Sequence, residues 1–253
     1  MKPAPFKSFH HAIDDQIAAS FRDCRMDGTS AIQAGIAREI ALGFRQAVKR
    51  LFDLAFASVF LTFSLPVFMV VAVLIKTTSR GPVFFRQERI GYRGRKFRIW
   101  KFRTMRADDG EKEHKAYVES LLSGPEDAGQ ADRVERYVEY LNRRITRIGR
   151  FLRASSLDEL PQIFNILTGE MSLVGPRPHP TYEVESYKKW YHRRLQVKPG
   201  LTGWSKLNLR FTPDNYEEAI LHDLWYVDHW SLLLDFRILI MTVPFVLSMK
   251  DAT

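Results

Sequence analysis

The hydrophobic and polar positions divide the chain into five stretches of different character. Residues 1–44 mix apolar and charged positions, and only Ala31 to Ala47 has helical spacing. This start is expected to be mobile and without chemistry. From Leu54 to Ile75 no residue is charged, which meets the length of a membrane-spanning helix, about 20 residues. Pro66 lies near its middle and predicts a bend. The hydroxyls of Thr62 and Ser64 can bond back to freed carbonyls there. Next, Val83–Ile90 and Lys96–Arg103 flank Gly91-Tyr92-Arg93-Gly94-Arg95 and predict a β-hairpin. Ala107–Asn142 reads as a charged helical stretch, and Arg143–Thr253 holds most of the motif-like clusters. Near the end, Asp235 and Arg237 interrupt the apolar run Trp230–Leu247, and Pro244 is expected to break it. That run reads as packing on the core or lying at an interface, not spanning.

Charge changes the picture of the apolar run. Arg45, Lys49 and Arg50 precede it; Lys76, Arg80 and Arg86 follow it. Positive flanks mark the cytoplasmic side, so a helix that enters one leaflet, breaks and returns would keep both clusters there. Each arm of about 12 residues covers roughly 18 Å, too little to cross. A kinked spanning helix and a buried core helix remain alternatives. Asp53, at the mouth of the run, could pair with Lys49 or Arg50. The net charge of +9 calls for an anionic partner: nucleic acid, an acidic membrane or a phosphorylated substrate. A single cysteine, Cys24, excludes an internal disulfide and a multi-cysteine metal site. The start lacks the apolar core of a secretory signal, so none is expected.

Arg86 to Arg106 holds nine Arg or Lys and one acid, Glu88. Such a patch could bind lipid head groups, substrate phosphates or, through its interleaved aromatics, nucleic acid. The adjoining apolar run favours the first two. The sharpest chemistry lies further on. Arg147, Arg150 and Arg153 recur every three residues, on one drifting helix face, and Asp158-Glu159 follow. Arginines can hold a diphosphate while one carboxylate attacks phosphorus and the other holds a metal or manages a proton. The competing reading is a helix capping box, Ser156-Leu157-Asp158-Glu159, which Pro161 strains. Asp108-Asp109 opens a stretch rich in acids and reads as a solvated face. The pairs His222-Asp223 and Asp228-His229 show no repeated ligand spacing and read as structural.

Six ordered motifs then resemble a known family. They are Lys49-Arg50-Leu51-Phe52-Asp53-Leu54, Gly81–Gly91, Lys101-Phe102-Arg103-Thr104-Met105, Ser156–Gln162, Gly169–Pro178 and Lys198–Trp204. The chain, from about residue 45 to 245, resembles the bacterial sugar transferases, monotopic phosphoglycosyl transferases of exopolysaccharide and related pathways. The resemblance implies a mainly α fold with a small β-hairpin. It implies a monotopic membrane protein, with a re-entrant broken helix and interfacial helices around a compact cytosolic catalytic domain. The organisation it suggests is a variable polar segment at 1–44, a re-entrant hairpin at 45–78 and a catalytic domain at 79–253 with an insert at about 108–142. The family's break falls at a serine–proline pair; here Leu65 separates Ser64 from Pro66.

The resemblance further implies transfer of a sugar-1-phosphate from a UDP-sugar to undecaprenyl (polyprenyl) phosphate, with release of UMP. Asp158 would be the nucleophile of a ping-pong scheme and Glu159 a ligand of Mg²⁺. Arg147, Arg150, Arg153, Lys101, Arg103 and Pro176-Arg177-Pro178 would bind substrate. The expected place is the cytoplasmic face of the bacterial inner membrane, among its lipids, with no nucleic-acid partner and homo-oligomerisation left open. The alternative function is a non-catalytic membrane-anchored scaffold of polysaccharide assembly. The sequence names neither the sugar nor the pathway.

Overall fold

A computed structural model describes residues 28–106, 144–209 and 215–247, with side chains from residue 43 onward. Cys24, Asp108-Asp109 and the insert at 108–142 lie outside the described residues. The chain divides into two units, Met1–Lys49 and Arg50–Thr253. The second holds the features that follow.

The described residues are mainly helical. Helix α1, Gly28–Thr78, includes the apolar run and continues through Pro66. The residues at 43–78 are long and apolar enough to cross a membrane. The helix does not end at Pro66. Pro66 is on the exposed face, so its ring disturbs no packed surface, and proline there removes a single hydrogen bond. As expected, hydroxyls bond back along the turn: Thr62 Oγ1 donates to Ser58 O at 3.0 Å and Ser64 Oγ to Leu61 O at 3.1 Å.

One stripe of α1 is buried: Asp53, Ala57, Ser64, Phe68, Val71 and Ile75. Their spacing of three, four or seven residues is that of one helix face. The opposite face exposes Phe56, Val59, Phe63, Leu65, Met69, Val70 and Val73. An unpartnered apolar surface of this extent does not suit water.

The hairpin forms where the alternation placed it. Strands β1 (Phe84–Ile90) and β2 (Lys96–Phe102) pair antiparallel, from Phe84 opposite Phe102 to Ile90 opposite Lys96. Phe97, Ile99 and Phe102 turn inward, and the Arg86 guanidinium stacks 3.4 Å from the Trp100 ring centre. Helix α2 (Arg147–Ala154) starts at Thr146, whose hydroxyl accepts from Gly149 N. A Cβ on Gly149 would lie 2.0 Å from Thr104 O, so only glycine lets α2 dock here.

A 3₁₀ turn, Leu157–Glu159, leads into α3 (Gln162–Thr168). Phe68 of α1 packs edge-on against Phe102 and Phe164, with ring centres 5.1 and 5.9 Å apart. Asn165, fully buried, acts as a strand edge: its Oδ1 accepts from Trp100 N and its Nδ2 donates to Arg98 O.

Beyond α3, β3 (Ser172–Val174) pairs parallel with β4 (Gly200–Thr202). Between them lie α4 (Thr181–Glu185) and a 3₁₀ segment, Lys189–Gln196. Helices α5 (Trp204–Asn208), α6 (Tyr216–Asp228) and α7 (Leu232–Leu247) follow. Helix α7 contains Pro244, which does not break it as expected; Pro244 too is exposed. Asp235 of α7 is buried and accepts from Tyr226 Oη and Trp230 Nε1. Ile238 joins the core, while Leu233, Phe236, Ile240 and Val243 face outward.

Candidate active site

Two basic side chains meet one carboxylate. Lys101 of β2 lies 2.9 Å from Glu159 Oε1, and Lys206 of α5 lies 2.8 Å from Glu159 Oε2. Lys101 stands 3.8 Å from Asp158 Oδ2, too far for a hydrogen bond. Arg153 of α2 completes the surround of Asp158, its Nε donating to Thr104 Oγ1 at 3.0 Å.

The backbone sets this arrangement. Ser156 sits in the left-handed region at φ 54° and makes no side-chain cap bond. The capping-box reading is therefore not realised: Glu159 points to lysines, not back to Ser156. A non-glycine residue in that conformation is strained, and such strain clusters where side chains must be aimed.

The two neighbouring acids are driven apart electrostatically. Burial raises the Asp158 pKa and the Glu159 charge adds to it, against Lys101 and Arg153. Burial would also raise Glu159, but Lys101, Lys206 and Arg177 outweigh it and hold that carboxyl well below its ordinary value. Glu159 is therefore a fixed anion, and Asp158 the more basic carboxylate.

An open cleft lies beside the pair, lined by Arg89, Lys101, Glu159, Gln162, Arg177 and Lys206 among others. Gly175, Gly200, Leu201, Thr202 and Gly203 line it as well. A Cβ on Gly200 would lie 2.1 Å from Gly175 N, so nothing larger than glycine lets these segments meet. Cationic side chains around a cleft suit a phosphorylated ligand.

A family model described as bacterial sugar transferase matches residues 44–249. The chain belongs to the bacterial sugar transferase family. It is 40% identical over 227 residues to the UDP-glucose:undecaprenyl-phosphate glucose-1-phosphate transferase of Xanthomonas campestris pv. campestris, covering 87% of this chain and 42% of that protein. A Klebsiella pneumoniae protein of the same name is 38% identical, over 79% of this chain and 40% of its own length. The uncharacterized sugar transferase EpsL of Bacillus subtilis (strain 168) is 38% identical, over 79% of this chain and 87% of its own. The chain thus spans about four-tenths of the first two relatives.

Within this transferase core the sequence-predicted residues separate. Asp158, Glu159, Lys101 and Arg153 come together, and Arg177 lines the same cleft between buried Pro176 and Pro178. Asp158 itself is not among the lining residues; its side chain keeps 11% exposure. Arg147 and Arg150 are exposed on α2 and do not line the cleft. Arg103 is buried and tethers the end of α1: its guanidinium donates to Ser79 O, Ser79 Oγ and Arg80 O. Ser64 and Pro66 sit on α1, away from the lining.

Sequence reasoning missed Arg89, Gln162 and Lys206. Each lies in or beside a quoted motif, and a cation near a glycine (Arg89 before Gly91, Lys206 after Gly203) was the available signal. Among the described residues no cluster of three or more His, Cys, Asp or Glu could hold a metal.

Proposed function

We propose that this transferase moves a sugar-1-phosphate from a UDP-sugar to undecaprenyl phosphate, releasing UMP, through a covalent intermediate on Asp158. The observation that carries the reading is the unequal carboxylate pair beside a cationic cleft. In the first step an Asp158 oxygen attacks the sugar-bearing phosphorus. The bond from that phosphorus to the bridging oxygen breaks, and UMP leaves with the oxygen. In the second step a phosphate oxygen of the lipid attacks the same phosphorus and the Asp158 carboxylate departs. The product is a sugar-diphosphate lipid.

Asp158 suits the nucleophile because no close ammonium holds its lone pairs, whereas both Glu159 oxygens accept lysine donors. The pair also fits Mg²⁺ of the kind held by one or two carboxylates with substrate phosphates completing its shell. Glu159 would be the protein ligand, and the ion would offset the charge of carboxylate meeting diphosphate. Lys101 and Lys206 hold Glu159 in place and add positive charge at the attacked phosphate.

The nucleophile acts ionised, so the Asp158 shift should be visible in pH dependence. The raised pKa means that activity falls on acidification before an ordinary aspartate, near 3.8, would titrate. Lys101→Met removes the largest opposing charge. UMP release in the first half-reaction should then show its acid limb at higher pH than in the wild type. An unmoved limb argues that another group controls it.

The second part of the reading is the membrane mode: α1 enters and leaves at the cytoplasmic face of the inner membrane, with the outer face of α7 beside it. Both arms of α1 touch the same short helix, which supports this. The Arg50 guanidinium donates to Ile166 O and Leu167 O of α3, and Phe68 packs on Phe164 of α3. Asp53 accepts from Ser172 Oγ and Leu173 N, both at 3.0 Å. Cysteines placed at Lys49 and at Lys76 in a Cys24→Ser background should resist an impermeant thiol reagent applied to intact cells from outside. Labelling of either one would mean that the helix crosses.

A further inference from the structure

The cations of the cleft do not make up its whole chemistry. Neutral polar side chains line it as well: Gln162, Thr202 and Ser205. Thr202 and Ser205 are committed to the protein. Thr202 Oγ1 bonds Thr242 Oγ1 at 2.8 Å. Ser205 Oγ donates at 2.6 Å to Asp223, the partner of buried Arg194. Arg194 also donates to Arg177 O at 2.7 Å, so this network braces the Arg177 and Lys206 walls. Gln162 differs. It keeps 3% exposure, and its side-chain amide makes no hydrogen bond among the described residues. A buried amide with its acceptor and donors unused calls for a ligand that supplies both kinds of partner.

The backbone fixes where that amide sits. From Ser156 to Phe164 the chain winds tightly, with bonds spanning three residues. Glu159 N donates to Ser156 O, Leu160 N to Leu157 O, Ile163 N to Leu160 O and Phe164 N to Pro161 O. In such a winding side chains three apart eclipse, which puts Gln162 over Glu159. Lys101 marks the nucleophile's end of the cleft, 2.9 Å from Glu159 Oε1 and 3.8 Å from Asp158 Oδ2. Further along α3, Asn165 bonds Trp100 N and Arg98 O, so the helix that carries Gln162 is fixed to β2.

Hydrogen-bond chemistry then separates the parts of a nucleotide sugar. An ionised phosphate only accepts, and Arg89, Lys101, Arg177 and Lys206 meet that need. Their side chains offer no acceptor. A hydroxyl donates as well as accepts, and both Glu159 oxygens already take lysine protons. Gln162 Oε1 is the uncommitted side-chain acceptor. Hydroxyls occur at both ends of such a donor, but the sugar hangs directly on the phosphorus that Asp158 attacks. The nucleoside lies a whole phosphate further away, and Gln162 stands over the carboxylate next to Asp158.

Resting on the transfer proposed above, we infer that Gln162 is a specificity-determining residue whose amide recognises a ring hydroxyl of the transferred sugar. A sugar that lacks this hydroxyl leaves the amide buried and unpaired, and the site discriminates against it.

The test is a cycle between residue and hydroxyl. Asp158→Asn protein, which cannot form the adduct, is titrated calorimetrically in detergent with Mg²⁺. The probes are UDP-glucose, UDP-galactose and UDP-N-acetylglucosamine, then singly deoxygenated forms of the tightest of them, and UMP. With Gln162 in place, removal of one ring hydroxyl should weaken binding by about tenfold. Gln162→Met keeps the length and removes the amide. In that variant the parent sugar should fall by the same factor, and the deoxy form should bind as well as the parent. UMP affinity should not change, which also shows that the variant is folded. Deoxy penalties that persist unaltered in Gln162→Met at every position overturn the assignment. Weakened UMP overturns it too, because the amide then serves the nucleotide. A higher Mg²⁺ requirement as the sole change also overturns it, because the amide then serves the metal. UMP release from the same donors, measured with Asp158 intact, tests the transferase reading apart. Coupling without release leaves the sugar contact standing and that reading fails; release without coupling does the reverse.

Discussion

Asp158→Asn should lose turnover by at least about a thousandfold while the protein stays folded, because an amide is a very poor nucleophile toward phosphorus. The substitution keeps the volume of a residue that is almost fully buried and removes a charge whose pKa burial already raises. A gain in thermal stability is therefore compatible with the loss of activity. Without lipid acceptor, the wild type should release at most one UMP per site and hold the sugar-phosphate as an acyl phosphate. Rapid acid quench and intact mass should show that adduct in the wild type and not in Asp158→Asn.

Glu159→Gln should fail differently. Its charge balances Lys101 and Lys206, so the amide leaves two ammoniums without their carboxylate and removes the proposed Mg²⁺ ligand. Slow adduct formation, partly rescued by high Mg²⁺, is expected. An adduct that persists in Asp158→Asn would falsify the nucleophile assignment. A requirement for both substrates before any UMP appears would instead point to direct attack by the lipid phosphate.

The elements legible from sequence were those set by local periodicity. The hairpin, α2 and the long apolar helix fall where the patterns put them, because alternation and helical spacing decide which face can be buried. The break expected at Pro244 is not realised. Pro66 and Pro244 both lie on exposed faces, where a missing hydrogen bond leaves the packed stripe intact. The arginines show the sharper limit. Three-residue spacing correctly put Arg147, Arg150 and Arg153 on one helix, yet spacing carries no information about which end faces the acids. Only Arg153 turns to Asp158. Arg103, one residue from the buried Phe102 and two from Lys101, looks the same in a motif but bonds the end of α1. Arg89 and Lys206 approach Glu159 from strands and helices distant in sequence, so the cleft exists only after the β1 and β4 segments are brought together.

The least legible element is the buried pair of Arg194 and Asp223, two residues 29 apart whose meeting is fixed by tertiary packing. Their side chains keep 2% and 3% exposure. Arg194→Met should destabilise the protein by about 3–5 kcal/mol, because it strands a buried carboxylate with Ser205 as its remaining partner on this network. For a chain of this size that corresponds to a fall in Tm on the order of 10 °C. The pH dependence has a definite sign. Burial raises the Asp223 pKa, and Arg194 opposes the rise. Without Arg194 the folded-state pKa climbs further above the unfolded value. Between the two values the folded state binds more protons, so stability falls as pH rises through that window. The loss in Arg194→Met should therefore be larger at pH 8 than at pH 5. Adding Asp223→Leu removes the stranded charge and should recover much of the stability, since apolar replacement of a buried pair is often close to neutral. UMP binding should not recover with it. The carbonyl of Arg177 still lacks its donor, and the brace between the Arg177 and Lys206 walls is gone. Thermal melts and UMP titrations on the single and double variants separate the two roles. If affinity returns together with stability, the pair holds up the fold alone and plays no part in aiming the phosphate-binding arginine.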